Sequence, residues 1–251
     1  MQELLNKIVF YTGGKMQKTH YPENGFTLAE VLITLGIIGI VAAMTLPTLI
    51  QKNKRAELQS GLKTGYSLLQ QALQRMNADN GCPIIPANYP YRTLKNEFIK
   101  YFDNPIDCQW GGDQGTKESI LCGKGVISEG SGQVMKGIYK TYNLSKNEIS
   151  SVPLDDGQFA LKNGMLVMIE NQHNGTIFIS IDINGINKKP NIWGHDLFTF
   201  QLMSDGKLLP MGAEKTAYNE NTHCSKTATH NLNGIACTKR ALTDSSYWKG
   251  I

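Results

Sequence analysis

From Phe26 to Ile50 the chain reads FTLAEVLITLGIIGIVAAMTLPTLI, and its one charge is Glu30. Val31 to Leu46 is an uncharged run of sixteen residues. A helix that crosses a bilayer needs about 20 mostly apolar residues at about 1.5 Å each. Phe26–Leu46 meets that requirement if one carboxylate is tolerated. Two other uses of an apolar segment fit less well. A buried helix of a soluble protein is one. A secretory signal is the other, but its apolar core of roughly 7–15 residues ends at an A-x-A-like site, and Ala42-Ala43-Met44 is not such a site.

The carboxylate is the anomaly. A charge in hydrocarbon costs roughly 2.5–3.5 kcal/mol on insertion scales and marks a functional position. Glu30 has no Lys or Arg on its own segment. Either it lies at the headgroups or its partner is a cation of another chain. Gly36 and Gly39 would let helices approach closely, although glycine is common in membrane helices in any case.

The stretch Gly25-Phe26-Thr27-Leu28-Ala29-Glu30-Val31-Leu32-Ile33 resembles the processing site of type IV pilins and type II secretion pseudopilins. That pattern is Gly, Phe, three residues, Glu, then about 20 apolar residues. The resemblance implies that a prepilin peptidase cuts between Gly25 and Phe26 and methylates the new Phe26 amine. It also implies that Glu30 pairs with the Phe26 amine of a neighbouring subunit. Residues 1–25 would then be a leader and 26–50 a transmembrane stem. Pro47 sits where many pilins carry a helix-kinking proline. The leader is long for the family, and Met16 offers a second start ten residues before the cut. Lys52, Lys54 and Arg55 follow the span and rival the Lys residues of the leader, so charge does not orient it. An inner-membrane, single-pass placement with the head outside the cytoplasm is implied by the resemblance.

Beyond Pro47, Leu58, Leu62, Tyr66, Leu69, Leu73 and Met76 recur at steps of three and four, an amphipathic stripe over residues 51–81. Asn80-Gly81-Cys82-Pro83 stops the helix, which is expected over about 27–79 and kinked near Pro47. Residues 82–251 form the head. Residues 82–158 read as irregular, with a short helix near 92–102. From 159 the period becomes two. Met165, Val167 and Ile169 alternate, Asn174-Gly175 signals a hairpin, and Ile177, Ile179, Ile181 and Ile183 share one face. Phe198, Phe200 and Leu202 form another strand, and Asp205-Gly206 turns it into Lys207-Leu208-Leu209. The fold class is α+β: a long helix covering an antiparallel meander of about four strands, each with one apolar face, over about 159–210.

Between two strands, Asp182, Asn184 and Asp196 bracket a loop with Gly185, Pro190 and Gly194. It resembles D-x-N-G…P-N…G-x-D loops of pseudopilin-like proteins. Its oxygens suit Ca²⁺, or the loop is a turn in which Asp and Asn cap backbone N–H groups. It is not an EF-hand, because Asn187 and Trp193 stand where Gly and Glu are needed.

Five Cys outside the cytoplasm read as disulfides. Proximity favours Cys224–Cys237 and Cys108–Cys122, with Cys82 left over. A metal set of His223, Cys224, His230 and Cys237 is the alternative, without the tight Cys pairs of a zinc finger. No G-x-S-x-G, H-E-x-x-H or P-loop pattern is present, and Gly111–Gly115 reads as a loop, so no enzyme activity is expected. The net charge of +4 contains no Lys/Arg run longer than two, which argues against nucleic acid as a partner. The expected function is structural: a minor subunit of a type II secretion pseudopilus or type IV pilus. Its expected partners are the prepilin peptidase, other pilin subunits and the inner membrane. It would be stored in the membrane and then packed into a periplasmic or surface filament. An anchored binding module that never polymerises is the rival, and no cofactor beyond the candidate Ca²⁺ is expected.

Overall fold

The computed structural model describes residues 25–109, 122, 134–172 and 174–251. Residues 1–24 of the expected leader, with Met16, and the Gly111–Gly115 stretch expected to be a loop lie outside the described residues. The chain divides into two units, Met1–Leu49 and Ile50–Ile251.

Helix α1 runs from Leu28 to Asn80, 53 residues, with Pro47 inside it. In the first unit its large apolar side chains point outward on every side. Leu28, Leu32, Ile33, Leu35, Ile38 and Met44 are each more than half exposed. Among the described residues it is the one helix long and apolar enough to cross a membrane. A helix apolar all round needs lipid or other helices as its surroundings.

In the second unit α1 becomes amphipathic. Leu58, Leu62, Leu69, Leu73 and Met76 are buried, as the spacing predicts, each contributing roughly 1.5–3 kcal/mol through apolar burial. The helix ends at Gly81, whose φ of +68° is a left-handed conformation that glycine adopts without steric cost. A short helix, α2 (Leu94–Phe98), follows with one 3-10 turn behind it.

The sheet has six strands, two more than the sequence predicts: β1 (Ile106–Asp107), β4 (Gln158–Ala160), β5 (Leu166–Asn171), β6 (Ile177–Asp182), β7 (Leu197–Leu202) and β8 (Leu208–Pro210), in the order β1-β4-β5-β6-β7-β8. All neighbours are antiparallel. A separate two-stranded ribbon joins β2 (Val134–Lys136) and β3 (Glu148–Ser150). The added edge strand, β1, is two residues long and carries no readable period. Ile179 sits at the centre, opposite Ile169 on one side and Phe200 on the other.

The face formed by Phe159, Val167, Ile169, Ile177, Ile179, Ile181, Phe198, Phe200 and Leu202 packs with the buried stripe of α1. Gly61 and Gly65 allow the close approach. A Cβ at Gly65 would stand 3.0 Å from Ile181 Cδ1. Tyr66 is only half-buried, but its ring stacks on Phe200 at 4.9 Å and its hydroxyl donates to the Leu208 carbonyl at 3.2 Å.

The opposite face corrects the expectation of one apolar side per strand. Leu166, Met168, Phe178 and Leu197 are buried there, beneath Tyr139, Ile149, Leu154, Trp193, Met211 and Ile235. Every residue of β5 and β6 is buried. The sheet is therefore a middle layer between helix and loops, and the covering loops carry no hydrophobic period that would have announced them.

Candidate functional site

At the start of α1 the sequence T-L-A-E forms a capping box. Thr27 N–H and Thr27 Oγ1 both donate to Glu30 Oε2 at 2.8 Å, and Glu30 N–H donates to Thr27 Oγ1 at 3.2 Å. Thr27 is thus a residue that the sequence reading passed over. The T-x-x-E spacing ahead of an apolar run is the signal that marks it. The box satisfies orphan N–H groups at the helix start and fixes where the Glu30 carboxylate points. Phe26 is 85% exposed, and a Cβ built on Gly25, Gly36 or Gly39 would meet nothing within 4 Å. Gly25, Phe26 and Glu30 are close in sequence and exposed among the described residues.

The second predicted group, Asp182, Asn184 and Asp196, is brought together between β6 and β7. Both Asp side chains are fully buried. Asp182 Oδ1 accepts from the N–H groups of Asn184 and Gly185, at 3.2 and 2.9 Å, and its Oδ2 accepts from the Tyr139 hydroxyl at 2.6 Å. Asp196 accepts from the Asn191 and Ile192 N–H groups at 2.6 and 2.7 Å. These bonds are those of a structured turn. Gly185 is obligatory in it: at φ +80° a Cβ would lie 2.1 Å from the Gly164 carbonyl oxygen. Two amide oxygens, Asn184 Oδ1 and Asn191 Oδ1, are buried with no hydrogen-bond partner.

Burial, and then the neighbouring Asp196 charge, push the Asp182 carboxyl up to about 8. Burial pushes Asp196 up to about 6 against the pull of its backbone donors. Tyr139, which the sequence reading did not single out, is held well above its ordinary value by burial and by the Asp182 charge. Burial also lowers His195 to about 4, with its ring edge-on to Tyr142 at 5.5 Å.

Cysteine pairing follows proximity. Cys108–Cys122 and Cys224–Cys237 are disulfides, and Cys82 is free and exposed. The zinc alternative loses its thiolates to the second bond. His223 and His230 remain in contact, with ring centroids 4.8 Å apart and planes tilted by 60°.

Comparison with known proteins bears on the start of α1. Residues 22–46 match the family described as "Prokaryotic N-terminal methylation motif". The chain is also 31% identical over 137 residues to "Fimbrial protein" of Moraxella nonliquefaciens, a match that covers 50% of this chain and 79% of that relative. No solved structure matches.

Proposed function

This chain belongs to the type IV pilin family, and on that premise we propose that it is a minor subunit of a type IV pilus or type II secretion pseudopilus, cleaved between Gly25 and Phe26 and assembled through α1. Subunits of this family are structural components. The observation that carries the proposal is the first unit of α1: a helix with exposed apolar side chains all round and one carboxylate three residues into it. Lipid covers such a helix during storage in the inner membrane, with the head outside the cytoplasm. Neighbouring α1 helices cover it in a filament. Half of the chain lies outside the match to the fimbrial relative, which supports a specialised subunit over the bulk one.

Glu30 then has two roles that do not compete. Both Thr27 donors end on Oε2, so Oε1 is the oxygen offered to the Phe26 ammonium of a neighbour. Cleavage by a prepilin peptidase creates that ammonium one residue before the cap. Intact-mass measurement of protein from its native host tests the processing step. A mature chain starting at N-methylated Phe26, and loss of cleavage in Gly25→Leu, are expected. A mature chain that retains residues before Phe26 overturns the proposal.

The Asp182–Asp196 loop supports a smaller second reading, in which Ca²⁺ takes the two orphan amide oxygens beside the two raised carboxyls.

A further inference from the structure

We propose that the head carries a divalent-cation site, suited to Ca²⁺, formed by Asp155, Asp156 and Glu170. One oxygen from each of these residues lies within 4.8 Å of the others. Asp155 and Asp156 follow the 3-10 turn Val152–Leu154, and Glu170 is the fifth residue of β5. Hydrogen bonds clamp the two segments together. Asp156 N–H donates to the Ile169 carbonyl at 2.8 Å, and Asn171 N–H donates to Asp156 Oδ2 at 2.9 Å. The cluster is therefore fixed by the sheet and not by the chance meeting of surface side chains.

An independent observation points to a ligand. Glu170 is 4% exposed; its carboxyl hydrogen-bonds with Asp155 and Gln172, and its Oε2 is buried with no donor on it. A buried carboxylate oxygen that accepts nothing is unfavourable. Arg92 Nε, 2.7 Å from Asp156 Oδ1, offsets one of the three negative charges. Two species relieve the remainder. One is a proton: burial first, then the hydrogen bond with Asp155, pushes the Glu170 carboxyl up to about 10. The other is a hard cation, for which an all-oxygen, carboxylate-rich set is the preferred donor chemistry. Asp155 is only half-buried, which gives the ion a way in and leaves room for the waters that complete its coordination. The site is separate from the Asp182–Asp196 loop. Asp182 pairs with Leu166, four residues from Glu170 along β5, or about 13 Å at 3.3 Å per residue.

Calorimetric titration of the full chain in detergent micelles, stripped with EDTA and titrated with CaCl₂, tests the site. The wild type is expected to bind with Kd on the order of 10⁻⁴–10⁻³ M, the range of extracellular calcium modules. Glu170→Gln keeps the shape and a hydrogen-bonding amide but removes the charge, and Asp155→Asn does the same at the rim. Each is expected to weaken binding by about tenfold or more, while Asp103→Asn, at an exposed carboxylate outside both groups, leaves it intact. Absence of binding up to about 10 mM CaCl₂ overturns the proposal. So does binding that survives Glu170→Gln and Asp155→Asn but is lost in Asp196→Asn, which assigns the ion to the loop. If the variants do not fold, carbodiimide labelling of the wild type gives the answer. Protection of the Asp155–Asp156 peptide by CaCl₂ supports the site, and unchanged labelling rejects it.

Discussion

Gly61 and Gly65 separate helix propensity from packing, because both lie inside α1, four residues apart on the face that meets β6. Replacing either with Ala gains about 1 kcal/mol of intrinsic helix propensity, and that gain cancels when the two variants are compared. Packing does not cancel. The new Cβ at Gly61 stands 3.3 Å from Ile183 Cδ1, whereas at Gly65 it stands 3.0 Å from Ile181 Cδ1, with Ile181 Cγ2 and Ile183 Cγ2 both at 3.6 Å. Carbon atoms prefer about 3.5–4.0 Å. Ile183 lies just beyond the end of β6 and retains some exposure, but Ile181 is fully buried within the strand. Ile183 can yield a few tenths of an ångström. Ile181 has neighbours on every side, and overpacking such a site costs about 1–3 kcal/mol. Gly61→Ala is therefore expected to be neutral or stabilising, and Gly65→Ala to be less stable than Gly61→Ala by about 1–3 kcal/mol. In a unit of this size each kcal/mol moves the Tm by about 2–4 °C. Thermal unfolding of the full chain in detergent, followed by near-UV circular dichroism with disulfides intact, reads the difference. Ile181→Val removes the offending Cδ1, so it should recover part of the loss in the Gly65→Ala background, a coupling that a double-mutant cycle measures. If Gly65→Ala is as stable as Gly61→Ala, α1 is not seated on Ile181 and the packing account is wrong.

Two further outcomes are expected. Removing the Cys224–Cys237 bond, which spans 13 positions, should cost roughly 3 kcal/mol by loop entropy, read as a lower Tm for the Cys224→Ala/Cys237→Ala protein; an unchanged Tm contradicts it. His195, lowered by burial to about 4, resists protonation in the fold but not in the unfolded chain. Its contribution is complete above the unfolded value of about 6.5 and is lost as pH falls from there toward 4. The stability difference between wild type and His195→Gln should shrink by up to about 3 kcal/mol across that window, and a pH-independent difference argues against the buried neutral imidazole.

Much of this fold is written in two periods. The three-and-four spacing of Leu58, Leu62, Leu69, Leu73 and Met76 located the half of α1 that covers the sheet, and the alternation of Ile177, Ile179, Ile181 and Ile183 located the face it covers. Those signals are local, so a sequence displays them directly. The second face was not legible, because Tyr139, Leu154, Trp193 and Ile235 reach it from loops whose geometry is set by turns and not by a repeat. The partners of functional groups divide the same way. Cys224 and Cys237 are near in sequence, and that proximity points to their bond. Asp156 and Glu170 are brought together only by the hydrogen-bonded clamp between the 3-10 turn and β5, which no spacing rule reveals. Glu30 was flagged for its charge, yet its nearest partner, Thr27, is visible only when the same four residues are read as a helix start.

The central claim is that the Glu30 side chain, besides capping its own helix, carries a charge that serves assembly and not insertion. Glu30→Gln isolates that charge, since Gln at the same position still completes a capping box with Thr27. Removing the carboxylate should leave the membrane-fraction level of the subunit unchanged or higher, because a charge in hydrocarbon opposes insertion. It should also leave a neighbour's Phe26 ammonium without its counter-charge, and breaking a buried pair costs roughly 3–5 kcal/mol, enough to deplete the subunit from filaments more than about a hundredfold. The measurement is the amount of Glu30→Gln subunit in sheared filaments relative to the membrane fraction of the same cells. Normal membrane level with loss from the filaments is the expected result. Entry into filaments at the wild-type level would contradict it, and the chain would then be better described as a subunit whose Glu30 only caps its own helix.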